Sequence, residues 1–199
     1  MTERIQRYLK ENDVETPILI MDLDMVEQNY RQLREYLPLA RIFYAVKANP
    51  AAQVVDRLCG LGSSFDTASR GEIELCMSQG VPAEGISFGN TIKKEKDIAW
   101  AYARGVRLFA FDSEAELQKL ARSASGAGVF CRVLVDCGGA EWPLSKKFGC
   151  SPAMARDLLL KAKKWGLDPY GLSFHVGSQQ TDLEQWDRAL GRTSQLRSE

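Results

Sequence analysis

Lys47 is the first residue whose type and position suggest chemistry. It follows the apolar run of residues 43–46, and a lysine at the end of such a run is expected to be partly desolvated. Desolvation favours the neutral amine, which attacks aldehydes to form a Schiff base. The alternative is a lysine that ends a strand and extends into solvent without a function, and position alone leaves that alternative open.

His175, the only histidine of the chain, is followed closely by Gly177 and Ser178. A glycine allows the backbone to approach a ligand, and a serine together with neighbouring N–H groups can donate hydrogen bonds to a phosphate. These residues indicate an anion-binding turn at the end of a strand. The alternative is a histidine of the surface or the core that has no function.

Polar and charged residues occur after one further predicted strand and inside another. Asp66, Ser69 and Glu72 follow a short apolar run, although Asp66 and Ser69 could instead be helix N-caps. Arg132 lies inside the apolar run of residues 129–135. A guanidinium in such a strand needs an anionic partner, and strand alternation is expected to point it into the interior of the fold.

The apolar pattern predicts strands and helices in alternation. Strands are predicted at residues 42–46, 64–65, 86–88, 108–111, 129–135 and 171–176, after an initial run at residues 18–23. Helices are predicted at residues 52–61, 72–79, 114–121 and 153–165, with Ser113 as an N-cap and with Gly80 and Gly166 as C-terminal stops. This alternation is typical of βαβ units around a parallel sheet.

The parallel sheet could be an open doubly wound sheet or a (β/α)8 barrel. The glycine-rich phosphate loops of nucleotide-binding sheets are absent, whereas polar residues follow most predicted strands. The polar residues at strand ends are Lys47, Asn49, Asp66, Ser69, Asn90, Asp112, Asp136, His175 and Ser178. A barrel would collect them on one rim, so the barrel is favoured. Only six barrel strands are found, and eight are needed, so we expect the chain to be part of a longer protein.

Composition excludes several functional classes. Lys plus Arg and Asp plus Glu are equal at 26 each, so no net field attracts nucleic acid or an anionic membrane. The lysine clusters at residues 93–96 and 161–164 are expected to be solvated helix faces. Five scattered cysteines and one histidine argue against a metal site and, without a recognisable leader, indicate reduced thiols in a cytoplasmic protein. No apolar run approaches the roughly 20 residues that span a bilayer.

Five strings of residues, taken together, resemble one family. The strings are Ala45-Val46-Lys47-Ala48-Asn49, Phe65-Asp66-Thr67-Ala68-Ser69, Phe111-Asp112-Ser113-Glu114, Ser145-Lys146-Lys147-Phe148-Gly149 and Ser173-Phe174-His175-Val176-Gly177-Ser178. Their order and spacing resemble those of the fold-type III decarboxylases that depend on pyridoxal 5'-phosphate (PLP). The resemblance extends over about residues 16–190.

The resemblance implies a role for individual residues. Lys47 would carry PLP as a Schiff base and act with His175 in catalysis, with the His175 ring stacked on the cofactor. Ser178 would donate to the cofactor phosphate. Lys147 would reach across the interface of a homodimer to a carboxylate. The pocket around the lysine and the cofactor would be lined by Asp66, Glu72 and Arg132.

The resemblance also implies a domain organisation. Residues 37–199 would form part of an alanine-racemase-like (β/α)8 barrel, complete for about six strands. Residues 1–36 would form an N-terminal segment whose run at 18–23 is a strand of a separate β domain. The other half of the active site would lie outside the 199 residues, so we expect the chain alone to have negligible decarboxylase activity.

The implied function is decarboxylation of a basic amino acid in polyamine biosynthesis, either ornithine to putrescine or lysine to cadaverine. The short connection between Val135 and Lys147 resembles ornithine or lysine decarboxylases more than diaminopimelate decarboxylases. Three alternatives stay open: a diaminopimelate decarboxylase, an alanine racemase on the same barrel, and a non-catalytic homologue that binds a regulator.

Overall fold

The computed structural model describes residues 1–135, 140–142 and 147–198. The helices are α1 (Glu3–Glu11), α2 (Leu23–Tyr36), α3 (Ala52–Gly60), α4 (Arg70–Ser78), α5 (Glu95–Ala103), α6 (Glu114–Ser123), α7 (Pro152–Lys164) and α8 (Glu184–Ser198). The strands are β1 (Phe43–Ala45), β2 (Ser64–Thr67), β3 (Ile86–Phe88), β4 (Leu108–Phe111), β5 (Gly128–Arg132), β6 (Ala140–Trp142), β7 (Asp168–Ser173) and β8 (Ser178–Gln180). Two short 3-10 helices are Val46–Ala48 and Ala83–Gly85.

The main sheet has six parallel strands in the order β1-β2-β3-β4-β5-β7. Each strand therefore lies beside the one that precedes it in this sheet along the chain, with pairs such as Phe65↔Ile86 and Phe88↔Phe109. A doubly wound sheet would reverse this order at a switch point, and no reversal occurs among the described strands. Crossovers that all advance in one direction curl a sheet towards a barrel, so the predicted barrel winding and its six strands are confirmed.

The two faces of the sheet differ because strand residues alternate between them. Phe65, Phe88 and Phe109 are at most 2% exposed and form the core between the strands and the surrounding helices. The neighbouring residues Asp66 and Ser87 lie on the opposite, inner face. The apolar face stabilises the fold, which leaves the inner face available for polar groups.

Serine N-caps start three helices. The hydroxyls of Ser69, Ser113 and Ser151 each accept a hydrogen bond from the backbone N–H of the residue three positions later, at the start of α4, α6 and α7. The capping prediction is confirmed for Ser113 and for Ser69. Asp66 is not a cap, since it lies inside β2.

The N-terminal segment contributes no strand to the described sheets. Residues 17–22 lie in no helix or strand, and Leu23 already begins α2. Helix α2 packs on the core through the buried Tyr30, and Glu27 accepts a hydrogen bond from Arg57 of α3 at 2.9 Å. Pairing of this run with a second domain stays a prediction.

Helices α1 and α2 and a second, two-stranded sheet were not predicted. Strands β6 and β8 pair antiparallel, with Trp142 opposite Ser178, and each has only three residues. The prediction that Lys93 lies on a solvated helix face is wrong, because its side chain is fully buried just before α5 and contacts Glu116.

In the described part of the chain, no helix combines the length and the apolar character needed to cross a membrane.

Candidate functional site

A cavity of about 500 Å³ lies on the inner face of the sheet, between its edge strands β1 and β7. Alternate residues of β1 and β5 line it, which follows from the pleat, and β7 contributes the consecutive residues 170–173. Four of the residues predicted to be functional are in its wall, namely Lys47, Asp66, Arg132 and His175. A smaller cavity of about 220 Å³ shares the first three of them and adds Asn90 and Phe148.

Lys47 lies in the 3-10 helix that directly follows β1. Its position at a strand end is as predicted, but the expectation that it is partly desolvated is wrong, because the residue is exposed. The reason is that β1 is an edge strand of the sheet, so the turn that follows it has a neighbouring strand on one side only. The amine is therefore accessible to a ligand that enters the cavity.

Asp66 is a half-buried carboxylate on the inner face. Its Oδ1 accepts a hydrogen bond from the Ser87 hydroxyl at 2.7 Å. Burial raises the pKa of Asp66 above its usual range, although this hydrogen bond and the positive charges of Lys47 and Arg132 oppose the shift. A carboxyl group with a raised pKa can exchange a proton more easily near neutral pH.

Arg132 ends β5 and is half-buried. Burial lowers the pKa of its guanidinium from the ordinary value, while the carboxylates of Asp112 and Asp66 oppose the change. Its Cζ lies 5.2 Å from the centroid of the Phe148 ring. The predicted inward direction agrees with the place of Arg132 in the cavity wall, and the guanidinium is positioned to attract an anionic ligand group.

His175 follows β7, and its Nδ1 accepts a hydrogen bond from the backbone N–H of Gly177 at 2.8 Å. Gly177 has a φ of 101°, in the left-handed region, and this conformation turns its N–H back towards the ring. Burial lowers the pKa of His175, and the charges of Arg132 and Lys47 lower it further. The ring is therefore neutral near pH 7 and carries its proton on Nε2.

The other predicted residues lie outside these two cavities. The Glu72 carboxylate accepts a hydrogen bond from the backbone N–H of Ala68 at 2.7 Å, so it supports the turn after β2. Ser178 lies in β8. Lys147 is exposed, with its Nζ 5.2 Å from the centroid of the Phe148 ring. Asp136, also predicted at a strand end, lies outside the described residues, as do most residues of the connection between Val135 and Lys147.

Two residues of the wall, Ser87 and Gly89, were not predicted. They lie two residues apart, one in β3 and one at its end, and both face Asp66. Period-two alternation along β3 was the available signal, since it places residues 87 and 89 on the same inner face. Small residues carry little chemical signal of their own, which explains why they were missed.

Together these residues offer a defined set of chemical groups. The cavity provides a primary amine from Lys47, a neutral imidazole from His175 and a guanidinium from Arg132. An amine can bind an aldehyde, a flat ring can stack on another ring, and a guanidinium can bind an anion. The site is therefore suited to an anionic, aromatic aldehyde.

The family model described as pyridoxal-dependent decarboxylase, pyridoxal binding domain, matches residues 23–199. A lysine/ornithine decarboxylase from Selenomonas ruminantium is 40% identical over 177 residues, which cover 89% of this chain and 45% of the relative. Antizyme inhibitor 2 from Xenopus laevis is 36% identical over 190 residues, or 96% of this chain and 42% of the relative. The chain thus spans less than half the length of these two relatives.

A solved structure has the same fold. The crystal structure of SrLDC in complex with PLP and cadaverine superposes with a TM-score of 0.87 at 37% identity, and the match covers 98% of this chain and 49% of that one. At this identity and score the likeness extends to the path of the strands that line the cavity.

Proposed function

The chain belongs to the family of pyridoxal-dependent decarboxylases, and we propose that it carries PLP on Lys47 as part of a decarboxylase of basic amino acids. The observation that carries this proposal is that the accessible amine of Lys47 shares one cavity with Arg132 and His175. The groups of the wall fit PLP by their chemistry, since an amine, a flat ring and a cation match its aldehyde, its pyridine ring and its phosphate.

Each residue of the wall would have a distinct task. When bound, PLP supplies an electron sink that stabilises the negative charge left on the α-carbon as CO2 departs. Lys47 would hold the aldehyde carbon and could later return a proton at the substrate. The neutral ring of His175 would stack without adding a positive charge, and Arg132 would balance anionic groups near the carboxyl ends of the strands.

Asp66, Glu72 and Ser178 would support the cofactor at greater range. Asp66 faces the same cavity as Lys47, so its carboxyl group can accept or donate a proton there. Glu72 would act through the turn that it supports at Ala68. Ser178 lies three residues after His175 and would donate to the phosphate from the adjoining segment.

The proposed substrate is ornithine or lysine, and the product is the corresponding diamine, an intermediate of polyamine biosynthesis. The similarity to a lysine/ornithine decarboxylase and to an SrLDC complex that holds cadaverine supports this choice. We further propose a homodimer, in which the exposed Lys147 is available to an acidic group of a second copy. The negligible activity expected of the 199 residues alone stays a prediction.

Reductive trapping tests the proposal directly. PLP is added to the purified protein, and an absorbance band at about 420 nm that disappears on borohydride treatment is expected for a cofactor held on a lysine. Peptide mapping should then locate the reduced adduct on Lys47. Lys47→Met should abolish the adduct, whereas Lys163→Met, which removes an exposed lysine of α7, should retain it. An adduct on a different lysine would overturn the proposal.

A second candidate function is a homologue that binds a protein regulator without catalysis. It is favoured by the similarity to antizyme inhibitor 2, whose name describes an inhibitor instead of an enzyme. This candidate does not need an amine that reacts with PLP. Absence of any reducible adduct at saturating PLP would favour it over the decarboxylase.

A further inference from the structure

Lys93 is a second lysine near the cavity, and its surroundings differ from those of Lys47. Its side chain is 0% exposed. Its Nζ donates to the backbone oxygens of Asn90 at 2.8 Å and Ala110 at 2.5 Å, and it lies 2.9 Å from Oε1 of Glu116. Three oxygen atoms thus surround an ammonium group that has three N–H bonds. Lys93 is therefore a structural cation instead of a nucleophile.

Glu116 holds this contact from the other side. It is 2% exposed in α6, and its Oε2 is paired with the Lys119 Nζ. The same Oε2 accepts from the backbone N–H of Lys93 at 3.4 Å. Burial lowers the pKa of Lys93 to about 8, while the negative charge of Glu116 opposes that shift. An ion pair this deeply buried is costly to break by removing one partner.

The pair joins the segment after β3 to strand β4 and to helix α6. The carbonyl of Asn90 comes from the segment after β3, Ala110 belongs to β4, and Glu116 belongs to α6. The Asn90 side chain in turn donates to the carbonyl oxygen of Ala68 at 3.3 Å, in the turn after β2. Lys93 is thus the centre of a hydrogen-bonded network along this part of the rim.

The segment held by this network is a wall of the smaller cavity. Asn90 and Thr91 line it together with Lys47 and Asp66. The Thr91 hydroxyl is buried and has no hydrogen-bond partner among the described residues, so it does not hold the segment in place. The contacts of Lys93 therefore fix this wall together with the hydrogen bond that the Gly89 N–H donates to the Thr67 carbonyl oxygen at 2.8 Å.

We propose that Lys93 and Glu116 are positioning residues, which hold the segment of residues 89–93 as a wall of the PLP cavity. This inference rests on the proposed function, because it assumes that PLP occupies the cavity beside Lys47. A displaced wall would alter both the affinity for PLP and the environment of its bound chromophore, since small displacements at such sites have large effects.

Lys93→Met is the principal variant. Methionine replaces the apolar stem of the lysine, and Glu116 keeps Lys119 as a partner, so no carboxylate is left buried without a cation. The dissociation constant of PLP is expected to increase about tenfold, with a shifted absorbance maximum of the bound cofactor. Lys161→Met is the matched control. It removes a lysine of α7 that pairs with Glu114, which lies in α6 like Glu116 but away from the cavity. It should retain the affinity and the spectrum.

The outcomes separate the two proposals. If the unchanged protein forms no reducible adduct, the proposed function fails, whatever the variants do. If it forms the adduct and Lys93→Met binds PLP with the same affinity and spectrum, the positioning role is overturned. Should Lys93→Met not fold, Glu116→Gln is measured in its place, since its amide keeps the size of the side chain. If neither variant folds, the pair supports the whole fold and the positioning role is overturned as well.

Discussion

A Cβ atom on Gly89 would lie 2.0 Å from Oδ1 of Asp66, far inside ordinary contact distance. The Asp66 carboxylate therefore occupies space that only a glycine at position 89 leaves open. Ser87 fixes the same oxygen with a hydrogen bond of 2.7 Å. The orientation of one carboxylate thus depends on two small residues of the neighbouring strand segment.

Gly89→Ala should displace Asp66 and break its hydrogen bond with Ser87. We expect a loss of about 2 kcal/mol in the free energy of unfolding, as for other overpacked sites, together with weaker binding of PLP. Denaturant unfolding and a crystal structure of the variant would measure both effects. Gly71→Ala is the control, because the nearest atom to its added Cβ is 3.9 Å away. An unmoved Asp66 in Gly89→Ala would contradict the prediction.

His175 should make the stability of the protein depend on pH below about neutrality. The pKa of His175 is lowered in the folded state from 6.5, so the unfolded chain binds the proton more readily. Stability is therefore expected to fall as the pH decreases through 6.5 and below, where the unfolded state gains protons first.

The variant His175→Asn should flatten that pH dependence. Its amide oxygen can take the position of Nδ1 and accept from Gly177, but it does not titrate. Thermal unfolding of both proteins between about pH 5 and 8 measures the difference. Parallel curves for the two proteins would show that His175 is not the responsible group.

Arg132→Met should raise the pKa of His175 towards its ordinary value, because one of the two neighbouring positive charges is removed. The chain has a single histidine, so its ring signals can be followed by NMR without ambiguity. The control is Arg122→Met, whose guanidinium pairs with Glu95 on the surface. If the pKa of His175 is the same in Arg132→Met as in the unchanged protein, the two residues are not coupled.

Two serine caps allow stability to be separated from function. Ser69→Ala and Ser151→Ala each remove an N-cap and should each cost about 1 kcal/mol in the free energy of unfolding. Only Ser69→Ala is expected to weaken binding of PLP, because the neighbouring Ala68 lines the smaller cavity. Calorimetry and a PLP titration measure the two quantities. Equal affinities for PLP would refute a link between the α4 cap and the site.

Local patterns were sufficient to predict much of this architecture. The apolar runs predicted six parallel strands, and Ser113 was predicted correctly as a cap, because such signals depend on residues within one helical turn or one strand. Lys47 and His175 were identified from their positions at strand ends, and Arg132 from its place inside an apolar strand, where a guanidinium needs an anionic partner. In a parallel sheet those ends meet at one edge, so the shared cavity follows from the topology.

The tertiary structure decided the features that depend on contacts between distant residues. Burial of Lys93 required Glu116 to approach from α6, and the fit of Asp66 required the space above Gly89. The exposure of Lys47 followed from the edge position of β1, which no local pattern contains. The sequence by itself determined the types and order of the reactive groups, because short-range periodicity encodes strands and helices. Which groups are in contact, and which are exposed to solvent, depends on the tertiary structure, because the crossovers place distant strands next to one another in the sheet.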